Sequence, residues 1–203
     1  TNVNPRDSFR YPYIVQYEES DIEFLVRLSI RYGEWFFFNG EKIIFGELPG
    51  PKKEQKLSVG HDLVDFNYQL RVNPVNFSLM SVDPTKTNVY KFKSGSGKTG
   101  DILNEYGKYA LNKSKDFYHV EGLHYYKSLN VSDNDFQKAI DKAGERDEES
   151  DASNLSDLSG SSVNPFLSAG KYIKVNCPGV KTSDPHVDYG NYLITSVQHS
   201  FDN

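Results

Sequence analysis

The residues best suited to chemistry are scattered along this chain, and each set lacks a companion that a reaction or a bound group would need. Ser94-Gly95-Ser96-Gly97-Lys98-Thr99-Gly100 has the glycines, lysine and threonine of a phosphate-cradling loop. That pattern also needs a glycine five residues before Gly97, where Phe92 stands, and no parallel strand–helix–strand run surrounds it. It reads as a mobile loop tip. The histidines, His61, His119, His124, His186 and His199, are dispersed. His119 and His124 face different sides of a helix, and Glu121 between them does not complete a zinc-protease pattern. His199 ends an apolar strand and reads as a hydrogen-bonded packing residue. Cys177 precedes a proline in a strand, where a packed thiol is the default; a single cysteine excludes an internal disulfide framework and a thiolate zinc cluster. The acidic run at residues 147–151 lacks the alternating ligands and central glycine of a calcium loop and reads as solvated charge. Lys91, Lys93, Lys98, Lys108, Lys113 and Lys115 could line one basic face, but a net charge of −5 gives no electrostatic case for nucleic acid. The sequence therefore assigns no catalytic, cofactor-binding or metal-ligating residue, and no cofactor.

The elements that would have to position such residues are clearest at residues 11–46. Tyr13-Ile14-Val15-Gln16-Tyr17 is β-branched and aromatic and predicts a strand. Ser20-Asp21-Ile22-Glu23 is a capping box, and Gly33 sits where a left-handed C-terminal cap belongs. Between them lies a helix of about 13 residues, roughly 20 Å long. Its apolar residues cover more than half of the wheel, leaving Glu23, Arg27 and Arg31 as a polar stripe. Such a helix is expected to be enclosed on several sides, with Glu23 pairing Arg27. Trp35-Phe36-Phe37-Phe38, Asn39-Gly40 and Lys42-Ile43-Ile44-Phe45 predict a hairpin whose two turn residues take φ > 0. Four consecutive aromatics imply cover on both faces.

Residues 1–12 read as a lead-in, and the breaker-rich residues 48–54 as the internal boundary. Residues 62–72 alternate cleanly and predict a long half-buried strand. Strands at 75–82 and 88–92 follow, as a meander. A short helix is expected over about 101–111, and a second after Ser132 carrying Phe136, Ala139, Ile140 and Ala143. Residues 146–162, acidic and serine-rich, read as a solvated helix end or a disordered loop. Residues 170–177 and 189–199 close the chain as two strands. The reading is mainly β (α+β), an antiparallel β-barrel preceded by a capped helix and hairpin: residues 1–50 form a linking segment, and 51–203 the barrel with a helical insertion around 101–155.

At 203 residues the chain can bury a sizeable core. Nothing in it is long and apolar enough to span a membrane. The start, Thr1-Asn2-Val3-Asn4, is neither basic nor apolar and lacks an initiator Met, so the chain reads as part of something longer, without a cleaved signal.

Tyr13, Val15, Gln16, Tyr17, Glu19, Ser20, Asp21, Phe24, Leu25, Arg27, Leu28, Gly33, Trp35, Phe36 and Phe38 together resemble the signature of the VgrG spike proteins of type VI secretion and the related tail-hub proteins of contractile phages. The chain departs from it at Arg31-Tyr32 and Glu34, where that family carries glutamates before the glycine and an isoleucine after it. Leu167-Ser168-Ala169-Gly170-Lys171-Tyr172-Ile173-Lys174-Val175 and Tyr189-Gly190-Asn191-Tyr192-Leu193-Ile194-Thr195-Ser196-Val197-Gln198-His199 resemble its closing strands. The resemblance implies a structural hub that trimerises in the full-length protein, caps a hexameric Hcp-like tube and carries a puncturing tip for effector cargo. It implies assembly in the cytoplasm and export through the secretion apparatus, with an OB-fold and needle beyond this segment. The alternative is a cell-wall hydrolase or ligand-binding module carried on such a spike. Aromatic density without a convergent site favours the building block.

Overall fold

The computed structural model describes residues 1–9, 11, 13–48, 54–83, 86–95, 103–126, 135–178 and 186–201. The chain is α+β, with eleven strands in four small sheets, three of them mixed, and three helices among the described residues. It divides into two compact units, one of residues 1–5, 35–69 and 157–203, the other of residues 6–34 and 70–156.

In the first unit, β2 (Trp35–Phe38) and β3 (Ile43–Gly46) form the expected antiparallel hairpin, with Trp35 opposite Gly46 and Phe38 opposite Ile43. The turn differs from the two-residue type. Four residues connect the strands, only Gly40 has positive φ, and the Asn39 side-chain carbonyl accepts from the N–H groups of Glu41 (3.0 Å) and Lys42 (2.8 Å). That side-chain turn does the work a left-handed asparagine would otherwise do. The aromatic strand is covered unevenly: Phe36 and Phe37 are half-buried, whereas Trp35 and Phe38 are exposed. The lead-in holds a strand, β1 (Asn2–Asn4), which runs parallel to β3. Gly46 permits this approach at φ 112°, because a Cβ there would strike the Asn4 backbone.

The core of this unit lies where β4 (Gln55–Ser58) runs parallel to β10 (Tyr172–Cys177), which pairs antiparallel with β11 (Val187–Leu193). Leu57, Leu63, Ile173 and Val175 fill it, with Phe66, Tyr189 and Tyr192 packed around them. β5 (Leu63–Leu70) pairs with β9 (Ser156–Ser162). The expected meander from residues 62–72 into 75–82 is thereby corrected: β5 takes a partner far along the chain, and part of the serine-rich stretch is a strand.

In the second unit β6 (Phe77–Val82) pairs antiparallel with β7 (Val89–Lys93) and parallel with β8 (Gly122–Tyr125). Phe77, Leu79, Phe92, Ile140 and Ala143 form its main core. α2 (Glu105–Phe117) begins later than expected because Asn104 is its cap, accepting from the Gly107 N–H at 2.8 Å. α3 (Phe136–Ser153) buries the anticipated Phe136, Ala139, Ile140 and Ala143. Ser132 lies outside the described residues, and the residue flanking the helix start is Asp135, without a side-chain cap bond. α1 (Asp21–Tyr32) carries both caps read from the sequence. The Ser20 hydroxyl accepts from the Glu23 N–H at 3.3 Å, the Ser20 N–H donates to the Glu23 carboxylate at 2.8 Å, and Gly33 has φ 62°.

Candidate interaction surface

α1 turns only part of its apolar circumference inward. Phe24, Leu25, Leu28 and Tyr32 are half-buried and Ser29 buried, whereas Ile22 (65 % exposed), Val26 (38 %) and Ile30 (78 %) stay in solvent. Residues four apart share one helical face, so these three form a continuous apolar stripe. A shallow open concavity runs along it, edged by Glu23, Arg27 and Arg31. The expectation of a helix enclosed on several sides is therefore corrected for this chain.

Residues 13–17 lie beside the same helix and are not paired as the predicted strand. Tyr13, Ile14, Val15 and Tyr17 are exposed, and these residues make no backbone-to-backbone hydrogen bond with any described residue. Arg27 holds them in place. Its guanidinium donates to the Val15 carbonyl at 2.8 Å and to the Glu19 carboxylate at 2.5, 3.0 and 3.2 Å. These bonds hold the Glu19 carboxyl below the usual range and raise Arg27. Arg27 thus pairs with Glu19 and not with Glu23. The Glu23 carboxylate is spent on the Ser20 N–H and hydroxyl, which lower its pKa. The Gln16 amide adds bonds to the Glu19 carbonyl (3.0 Å) and the Asp21 carboxylate (2.9 Å).

The base of this surface is polar and tight. The Tyr11 and Tyr32 rings sit 4.1 Å apart between centroids. Burial, then the neighbouring Tyr32, Tyr126 and Glu34, push the Tyr11 phenol up to about 12. Burial likewise raises Tyr126, helped by Asp147. Arg146 on α3 forms an ion pair with Asp7, and Arg6 pairs with Glu149 at 2.7 Å while its N–H donates to the Glu34 carboxylate at 3.0 and 3.1 Å. Burial and the adjacent Arg6 lower Arg146 to about 10, which leaves it charged at neutral pH. A side chain at Gly33 would strike Arg146, so the helix end and the ion pair fit one another closely. Asp147 and Asp151, one turn apart on α3, are raised first by burial.

The residues singled out by type do not converge. Among the described residues no group of three or more His, Cys, Asp or Glu could hold a metal ion. His61 pairs with its neighbour Asp62 at 3.1 Å, and His124 lies against the Phe77 ring with centroids 5.8 Å apart. His199 contacts the Leu167 carbonyl at 3.1 Å but is exposed, so it is hydrogen-bonded without being a core residue. His119 and His186 are exposed, and Cys177 is half-buried at the end of β10. Residues 147–151 are helical within α3. Of the lysines, Lys93, Lys108 and Lys113 pair with Glu121, Glu105 and Asp116. The loop at 94–100 follows an antiparallel strand, and most of it lies outside the described residues. No helix among the described residues is long and apolar enough to cross a membrane. Sequence reasoning assigned this surface to the interior; the signal that marks it is the spacing of Ile22, Val26 and Ile30 apart from the inward Leu25 and Leu28. No protein-family model matches the chain, and no curated protein is significantly similar to it.

Proposed function

We infer that this chain is a structural building block of a contractile injection machine, a VgrG-like spike hub that trimerises, caps an Hcp-like tube and carries a tip and effector cargo to the outside. In this reading its sheets belong to a barrel-type hub, and it works by transmitting force, not by transforming a substrate. It is assembled in the cytoplasm and exported through the apparatus itself. The observation that carries it is the exposed stripe of Ile22, Val26 and Ile30 beside the unpaired residues 13–17. Contiguous exposed apolar surface marks an interaction site, and this one falls within the motif that resembles the hub family. Support also comes from the order of the two motifs, the capped helix and hairpin first and the paired closing strands last. The test is sedimentation velocity of the chain alone and with a hexameric tube protein. A complex containing three copies per tube ring is expected. A chain that binds no tube ring at any concentration would overturn the reading.

A further inference from the structure

Among the described residues, both parts of a β-sheet junction lie unused in the second unit. β8 is the outer strand of its sheet. The N–H groups of Gly122 and Tyr126 donate to the Asn76 and Met80 carbonyls of the β6 strand and its approach, each pair sitting on the β6 side. Because main-chain groups alternate along a strand, those of Leu123 and Tyr125 face outward. The side chains there, Leu123 (67 % exposed) and Tyr125 (58 %), are apolar and uncovered. Within β8 itself there is no lysine, proline or bulge, in contrast with β7 at the other side of the sheet, where Lys91 and Lys93 are exposed. The other part is residues 13–17, β-prone in type and without backbone pairing to any described residue. With the Val15 carbonyl turned to Arg27, an extended chain turns the groups of Ile14 and Gln16 the other way.

We propose that residues 13–17 of one copy add as a fourth, antiparallel strand to the outer edge of β8 in a second copy. This deepens the hub reading and rests on it only for the closure of the ring. The segment is committed to its own α1 by Arg27, by the Tyr11–Tyr32 stack at one end and by the Ser20 cap at the other, so its free side faces away from its own helix. Antiparallel pairing follows from the geometry: each outward residue then exchanges both its N–H and its C=O with one facing residue, slightly the more stable arrangement per residue. It brings Glu18 opposite Glu121, whose carboxylate is paired with Lys93. The register then places Ile14 opposite Tyr125 and Gln16 opposite Leu123 as hydrogen-bonded pairs. Val15 falls opposite His124 at the closer, non-hydrogen-bonded position. The contact joins two different patches, so it is heterologous and propagates around a ring that closes if the rotation allows. It is main-chain strand addition, with aromatic and β-branched cross-strand pairs giving specificity.

Two single-cysteine chains test it, Val15→Cys and His124→Cys, each with Cys177→Ser, mixed and oxidised. Both substitutions are at exposed residues; His124→Cys gives up one ring contact with Phe77, and the Leu123→Cys control together with a urea midpoint for each chain shows that the fold is kept. A disulfide-linked pair is expected in the mixture only, at several-fold higher yield than from Val15→Cys mixed with the register-shifted Leu123→Cys. Ile14→Pro, which removes an outward N–H, is expected to weaken self-association at least tenfold, whereas Ile14→Val leaves it within twofold. A yield no greater than the shifted control would overturn the proposal. Loss of tube-ring binding with the cross-link intact would instead remove the hub reading and leave the strand addition standing. Ring binding with three copies but no cross-link would do the reverse.

Discussion

The core between β4 and β10 and the outer face of α1 are built from the same kinds of residue and treat them in opposite ways. Leu57 and Val175 are 1 % and 0 % exposed, whereas Ile22 and Ile30 are 65 % and 78 % exposed. Burial of such side chains contributes about 1.5–3 kcal/mol each, so the first region is where apolar area stabilises the fold. α1 is held by other means: a capping box, a left-handed glycine, a stacked tyrosine pair and the Arg27 bonds to Glu19 and Val15. A helix fixed at its ends and along its polar stripe does not need its remaining apolar face for its own stability. That face is available for a partner.

The largest expected effect belongs to the dry core. Leu57→Ala removes a fully enclosed side chain from between Leu63, Ile173 and Val175 and should cost about 3–4 kcal/mol, read as a lower urea midpoint with unchanged slope. A loss below 1 kcal/mol would erase the contrast between the two regions. Next comes the ionic base of the α1 region. The side chains of Arg146 and Asp7 are 14 % and 9 % exposed, so Arg146→Ala leaves Asp7 enclosed without its counter-charge and should cost about 3 kcal/mol. The double change Arg146→Met with Asp7→Leu should recover much of that loss. If it does not, the pair does more than neutralise charge.

The contrast also explains what the sequence revealed. α1 was legible because its signals are local: Ser20, Glu23 and Gly33 act within a few bonds of the residues they cap. The hairpin was legible for the same reason, although Asn39 closes it by its side chain. β9 was not legible. Its residues, SDLSGSS, carry one large apolar side chain, and pairing with β5 supplies what composition does not. Ser161 donates to Asp65 across 96 positions, and Gly160 leaves the space that the Asp65 carbonyl occupies. β1 was missed likewise, since Asn2-Val3-Asn4 becomes a strand only because β3 is beside it. Of the surface itself, the residue types were readable but their exposure was not. An apolar helix face looks the same in a sequence whether its cover comes from the same chain or from another.

A smaller effect probes the tyrosine pair. Tyr11 is neutral up to about 12 in the fold, against 10.0 for a free phenol, so the folded state holds this proton more tightly than the unfolded chain. The associated stability is fully present below pH 10 and is lost as pH rises to about 12. Because the ring is only half-buried, the loss should be about 1 kcal/mol once solvent screening is allowed for. Absorbance at alkaline pH should show one late-ionising tyrosine, absent in Tyr11→Phe. If Tyr11→Phe keeps the late step, another ring, with Tyr126 the first candidate, carries it.

The smallest effect on stability is the most informative about the helix face. Ile30→Ser exchanges a side chain that is 78 % exposed, and serine is only slightly poorer than isoleucine as a helix former. The fold should therefore change by no more than about 0.5 kcal/mol. The same change removes one third of the stripe that a partner would cover, so association should fall while the urea midpoint does not. The two readouts separate the regions cleanly. Leu57→Ala lowers stability and lowers association only in proportion to the unfolded fraction, whereas Ile30→Ser lowers association in a chain that is as folded as before. If Ile30→Ser destabilised the chain by 2 kcal/mol or more, Ile30 would be contributing to the fold itself, and α1 would be an ordinary buried helix whose cover is in the same molecule.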